Sequence, residues 1–152
     1  MSMNKKEMVI PIDKTSDIKE INRIIKEILQ LFHNSVIDNK INENEKINEF
    51  IDLFIEIYNL CKDKSKSKPI EIKIEFQKKY DEIKKNNEYL LENNEIKSTG
   101  FIILITITLY QSLKEMIKNI KDLEKKVILE EFSEQLIKES SMRIFNFMNT
   151  KT

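Results

Sequence analysis

Along the chain, hydrophobic and polar positions form one uncharged run set among striped segments. Phe101 to Tyr110 carries no charge, and a helix that is apolar on every side has to be buried by other elements. From Leu109 onward the apolar residues fall at Leu109, Leu113, Met116, Ile120 and Leu123, alternating steps of four and three along a single helical seam. The pattern predicts a hydrophobic central helix over 99–121, about 35 Å long at 1.5 Å per residue, capped by Ser98 or Thr99. A buried strand competes over Phe101 to Tyr110, because periodicity does not separate a short apolar run from a helix segment. A membrane span needs about 20 apolar residues and this run ends at Gln111, so none is expected.

The other segments read as the wrapping. Residues 1–14, with Pro11 among Val9, Ile10 and Ile12, read as an extended N-terminal tail, and 15–149 as a single helical domain. Ser16 and Asp17 open a helix whose stripe is Ile18, Ile21, Ile25, Ile28, Leu29, Phe32 and Val36. After a polar turn, Asn42 with Glu45 makes a capping-box-like start to a second helix, about 43–62, which buries Ile47, Phe50, Ile51, Phe54, Ile57, Tyr58 and Cys61. The polar, basic stretch 62–69, closed by Pro69, reads as a linker between two helical hairpins.

Beyond it, Ile70, Ile72, Ile74 and Phe76 alternate with charges at strand spacing, while Ile72, Phe76, Tyr80, Ile83 and Leu90 make a longer helical face. The longer pattern favours a helix from Pro69, which leaves Ile70 and Ile74 off its main face. From Asp122 the apolar phase changes to Leu129, Phe132, Leu136, Ile137, Ile144 and Phe147. A helix break near Asp122 to Lys126, with Asp122 as N-cap, is the simplest account; one continuous helix remains open. The fold class is thus all-α, a single bundle of about five helices.

Composition narrows the function. With 152 residues there is room for one domain with a real core. Forty per cent hydrophobic residues argue against disorder, and 34% charged residues at zero net charge leave nucleic-acid binding possible but unsupported. The basic residues are nearly all Lys, with Arg only at 23 and 143, which we read as the bias of an AT-rich genome. A lone Cys61 and an N-terminus without a signal-peptide apolar stretch fit a cytoplasmic protein, whether bacterial, viral or in a host cell.

A single glycine removes the phosphate-cradling loops, and one histidine with one cysteine removes the usual zinc sites. No cofactor, metal or catalytic residue is expected. A Cys61/His33 dyad is conceivable in space, but Cys61 lies on an apolar face, where free cysteine is usually a small buried hydrophobe. Two charged rows stand out instead. Glu45, Glu49, Asp52 and Glu56 step by four, three and four on the second helix, and Lys114, Lys118, Lys121 and Lys125 repeat that spacing on the central one. They could pair within the molecule, meet a partner, or simply face solvent.

In outline, amphipathic helices wrapped around one hydrophobic helix resemble the Bcl-2-like inhibitors and the small helical subunits of CRISPR effector complexes; no signature residue of either is present. The expected function is a non-enzymatic protein-binding module acting through helical faces, such as an inhibitor, immunity or adaptor protein. Its partner would be another protein or a second copy of itself. The alternative is a small structural subunit of a nucleoprotein complex, with Lys62 to Lys79 and the Lys114 row on phosphates.

Overall fold

A computed structural model describes residues 2–37, 41–61, 68–93 and 97–151, with side chains described for 16–36, 41–61, 68–93 and 97–149. Among the described residues five α-helices follow in order: α1 (Ser2–Ile37), α2 (Glu43–Cys61), α3 (Pro69–Asn86), α4 (Lys97–Ile117) and α5 (Leu123–Lys151). A 3-10 turn, Glu88–Leu91, lies between α3 and α4. Helix, not strand, is the outcome both at Phe101 to Tyr110 and at 69–76.

α4 is the axis and touches every other element. The five successive residues Phe101 to Ile105 are all 0% exposed, which no single-sided packing achieves. α5, α1, α2 and α3 follow one another around it, and α5 pairs with α4 as an antiparallel hairpin. A chain of rings ties the layers together: Phe32 of α1 to Phe50 of α2 at 5.0 Å, Phe50 to Phe101 of α4 at 6.2 Å, and Phe101 to Tyr80 of α3 at 6.2 Å between centroids. The β-branched threonines inside α4 are satisfied locally. Thr106 Oγ1 donates to the Ile102 carbonyl at 2.6 Å and Thr108 Oγ1 to that of Leu104 at 2.8 Å.

By length and composition alone α4 carries an apolar stretch of 18 residues long enough to cross a membrane. In this fold 72% of that stretch is buried by the other helices, the environment of a core helix. Its only glycine shows why the axis can be approached so closely. A Cβ built on Gly100 would overlap the carbonyl oxygen of Leu90 in the 3-10 turn, so the contact requires a residue without one.

The local start signals act as read. The Asn42 side chain accepts from the Glu45 amide at 3.2 Å, and Asp122 Oδ1 accepts from the amides of Glu124 and Lys125 at 3.0 and 3.3 Å. Pro69 is the first residue of α3, and the Lys68 amide donates to Glu71 Oε2 at 3.3 Å. The linker stretch 62–67 lies outside the described residues.

Other expectations are corrected. Residues 2–14 are helical backbone continuous with α1, not an extended tail: Pro11 removes one helical amide, but Lys5, Lys6, Glu7 and Met8 a turn ahead of it are good helix formers. Ser16 and Asp17 therefore lie inside α1 and open nothing. The buried stripe of α1 is Ile21, Ile24, Ile28 and Phe32, with Ile25, Leu29 and Val36 only flanking it. α4 begins at Lys97, ahead of Ser98 and Thr99, and ends at Ile117. Because α5 restarts the helical phase at Leu123, that residue leaves the α4 seam and is 74% exposed.

Candidate functional site

The acidic row is a continuous surface feature. Glu45, Glu49, Asp52 and Glu56 are all exposed along the side of α2 opposite its core stripe, as the helical spacing requires. α1 runs antiparallel beside it and supplies local cations and carboxylates. Arg23 forks between Glu20 and Glu27 of its own helix, at 2.9 Å each, and reaches Glu56 at 3.4 Å. The hydrogen bond from Arg23 holds the Glu20 carboxyl below its usual range. Glu49 pairs with Lys46 at 3.4 Å. Glu49 and Asp52 also line a shallow α1/α2 groove floored by Leu31 and Leu53.

The lysine row is not one stripe. α4 stops at Ile117, so Lys114 is on α4, Lys118 and Lys121 are in the turn, and Lys125 is in the first turn of α5. The first three are exposed. The Lys125 side chain is only 13% exposed: its Nζ donates to Asp17 Oδ2 at 2.9 Å and to the Leu60 carbonyl at 2.7 Å. It therefore fastens α5 to α1 and to the C-terminal end of α2, where a cation meets free carbonyls and the negative end of the helix dipole. Among the described residues no ion pair joins the acidic row to the lysine row.

The conceivable dyad is not assembled. Cys61 sits beside Asp17 and Lys125, while His33 lies 16 residues along α1 from Asp17, about 24 Å away at helical rise. Burial pushes the Cys61 thiol up to about 12, against the opposing pull of Lys125, so it is a neutral buried thiol at physiological pH. His33 is exposed at a cleft between α1 and α5 that also contains Gln135, Glu139 and Arg143. No group of three or more His, Cys, Asp or Glu residues that could hold a metal occurs among the described residues.

Features that the sequence reading did not single out are a second polar knot and a cleft. Glu43 Oε2 accepts from the Tyr80 hydroxyl at 2.8 Å and from Lys84 Nζ at 2.9 Å, tying the start of α2 to α3. Burial, then the Glu43 carboxylate, raise the Tyr80 phenol far above its ordinary value. A cleft of about 350 Å³ opens between α2, α3 and α4 over Phe54, Ile72 and Met116. Lys79 and Glu115 meet across its rim at 2.6 Å. Both are long-range pairings of ordinary helix-face residues, and neither has a signature at the level of sequence spacing.

Comparison with family models, with curated proteins and with solved structures finds no match. What the protein does has to be read from its own surface.

Among the described residues the exposed large apolar side chains, Tyr89 apart, are concentrated in two places. Ile70 and Ile74 on α3 are 56% and 59% exposed, off the buried face of Ile72, Phe76, Tyr80 and Ile83. The second place is α5. Ile137 and Ile144 were expected on its covered stripe, but that stripe is Leu129, Phe132, Leu136 and Phe147, and they lie among exposed residues that include Val127, Met142, Phe145 and Met148. Ser133 and Ser140, small and buried, let α5 sit close on its covered side.

Proposed function

We propose that this chain is a non-enzymatic protein-binding module that works through helical faces, in the manner of an inhibitor, immunity or adaptor protein. The observation that carries this reading is the outward face of α3, where Ile70 and Ile74 stand one turn apart in solvent within a rim of mixed charge, Lys73, Lys78, Asp81 and Lys85. Two such neighbours on a helix are anchor spacing for a docked helix or strand, and the charged rim supplies orientation. The exposed carboxylates of α2 form a second face of one sign, suited to steering a basic partner.

The test is an affinity pull-down of the full chain from its native cells, at low and high salt, with and without nuclease, read by mass spectrometry. A protein that survives nuclease and is lost with Ile70→Lys/Ile74→Lys, while helicity is unchanged, supports the reading and places the surface on α3. Loss with Glu49→Lys/Glu56→Lys instead moves the surface to α2. Recovery of nucleic acid, or of proteins that vanish with nuclease, would replace the reading by that of a nucleoprotein subunit.

A further inference from the structure

The outward side of α5 carries a second helical seam that the fold leaves uncovered. Val127, Glu131, Glu134, Lys138, Ser141, Phe145 and Met148 follow one another at alternating steps of four and three, and every one is exposed. That is the 3.5-residue repeat by which two helices lie along each other. The packed side of the same helix, at Leu129, Phe132 and Leu136, faces α4 and α1, so the seam points away from the bundle. It is apolar at its two ends, with Val127 50%, Phe145 66% and Met148 54% exposed, and charged in the middle.

From this arrangement we infer that a second copy of the chain covers the seam, α5 against α5 in antiparallel order. Charge decides both the occupant and the direction. Laid parallel, identical positions meet, so that Glu131, Glu134 and Lys138 would each face their own kind. Laid antiparallel about a two-fold axis at position 136, Glu134 of one copy faces Lys138 of the other, and the two-fold repeats the pair. The same register sets Val127 against Phe145 and Glu131 against Ser141, each twice. Met148 falls opposite Glu124, next to Leu123, which is 74% exposed. Val127 thus meets Phe145 at both ends of the seam, and the charges between them meet an opposite charge or a hydroxyl. A surface that complements itself in both respects is what an isologous dimer requires. The face is separate from that of α3, so the inference stands or falls independently of the proposed partner-binding role.

The experiment is sedimentation equilibrium of the full chain over low to several hundred micromolar protein, with circular dichroism to confirm helicity. Expected is a monomer–dimer equilibrium that Phe145→Ser abolishes. Glu134→Lys and Lys138→Glu, each creating two like-charge contacts, should weaken dimerisation about tenfold or more. The double variant Glu134→Lys/Lys138→Glu, which restores both pairs with signs exchanged, should return affinity to within about threefold of the wild type. A chain that stays monomeric over the whole range overturns the inference. So does a dimer indifferent to the single exchanges, or one that the double exchange does not rescue.

Discussion

α4 and α5 are partners in one hairpin, and both carry more apolar residues than one face can use. In α4 the excess is covered from all sides: Phe101 to Ile105 lose all contact with water, and even Thr106 and Thr108 close their hydroxyls onto their own helix. In α5 only one stripe is covered, and Leu123, Met142, Phe145 and Met148 stay more than half exposed. The difference teaches that apolar content alone does not say whether a helix is core or surface. What decides is how many neighbours reach it: α4 is touched by every other element, α5 chiefly by α4 and, more lightly, by α1.

The sharpest way to break this comparison is a matched pair of truncations. Leu104→Ala should cost about 3 kcal/mol or more, the transfer of a full side chain plus the cavity left in a core that four helices hold in place. Phe145→Ala removes a larger side chain, yet should change unfolding free energy by less than about 0.5 kcal/mol in dilute protein. Urea unfolding at low micromolar concentration measures both. If the second loss approached the first, α5 would not present a free face at all. Raising the protein concentration sharpens the result further: the wild-type midpoint should climb through mass action on the dimer, and that of Phe145→Ala should not.

Gly100→Ala tests the covering of α4 from the opposite direction, by adding one carbon where the 3-10 turn crosses it. Since the added Cβ would overlap a backbone oxygen, a rotamer change offers no relief and the turn itself has to move. A loss of about 2–3 kcal/mol is expected, with no such loss for Ser112→Ala farther along the same helix. Thermal unfolding of the two variants gives the answer, and an unperturbed Gly100→Ala would mean that Leu90 does not lie against the helix.

Local signals were legible in the sequence, and long-range ones were not. The caps at Asn42 and Asp122, the start at Pro69 and the burial of the uncharged run, complete from Phe101 to Thr106 and partial at Ile107 and Tyr110, each depend on a few adjacent residues, and each is seen in the fold. The start of α1 was misread because Pro11 outweighed the helix-forming residues around it. Which of the two stripes of α5 is covered depends on where α4 lies, and no spacing within α5 reveals that. The lysine row failed for the same reason. Its spacing suggested one surface, but a turn divides it, and Lys125 is committed to a carbonyl 65 residues away.

That commitment makes Lys125→Met a test of how α5 is fixed at its first turn. The methionine keeps the aliphatic stem but gives up the bonds to Asp17 and to the Leu60 carbonyl, for an expected loss of about 1–2 kcal/mol. Lys121→Met, four residues earlier and exposed, should lie within about 0.5 kcal/mol of the wild type. Equal effects from the two would restore the lysines to a single functional row and remove the structural role assigned to Lys125.

The smallest expected effect concerns a buried hydroxyl on α1, set against those on α4. Thr106 and Thr108 donate to carbonyls of the preceding turn, so their burial is compensated. Ser35 is 0% exposed and its Oγ has no hydrogen-bond partner among the described residues. Leaving such a group unpaired costs about 1 kcal/mol or more, and alanine fits the same space without the oxygen. Ser35→Ala should therefore raise stability by about 1 kcal/mol, or the melting temperature by about 2–4 °C for a chain of this size. Thr108→Val, which gives up a satisfied hydroxyl for a methyl, should not raise it. If Ser35→Ala proved destabilising, its hydroxyl would have to be paired in solution, and the last turn of α1 would be held by a polar contact as the threonines of α4 are.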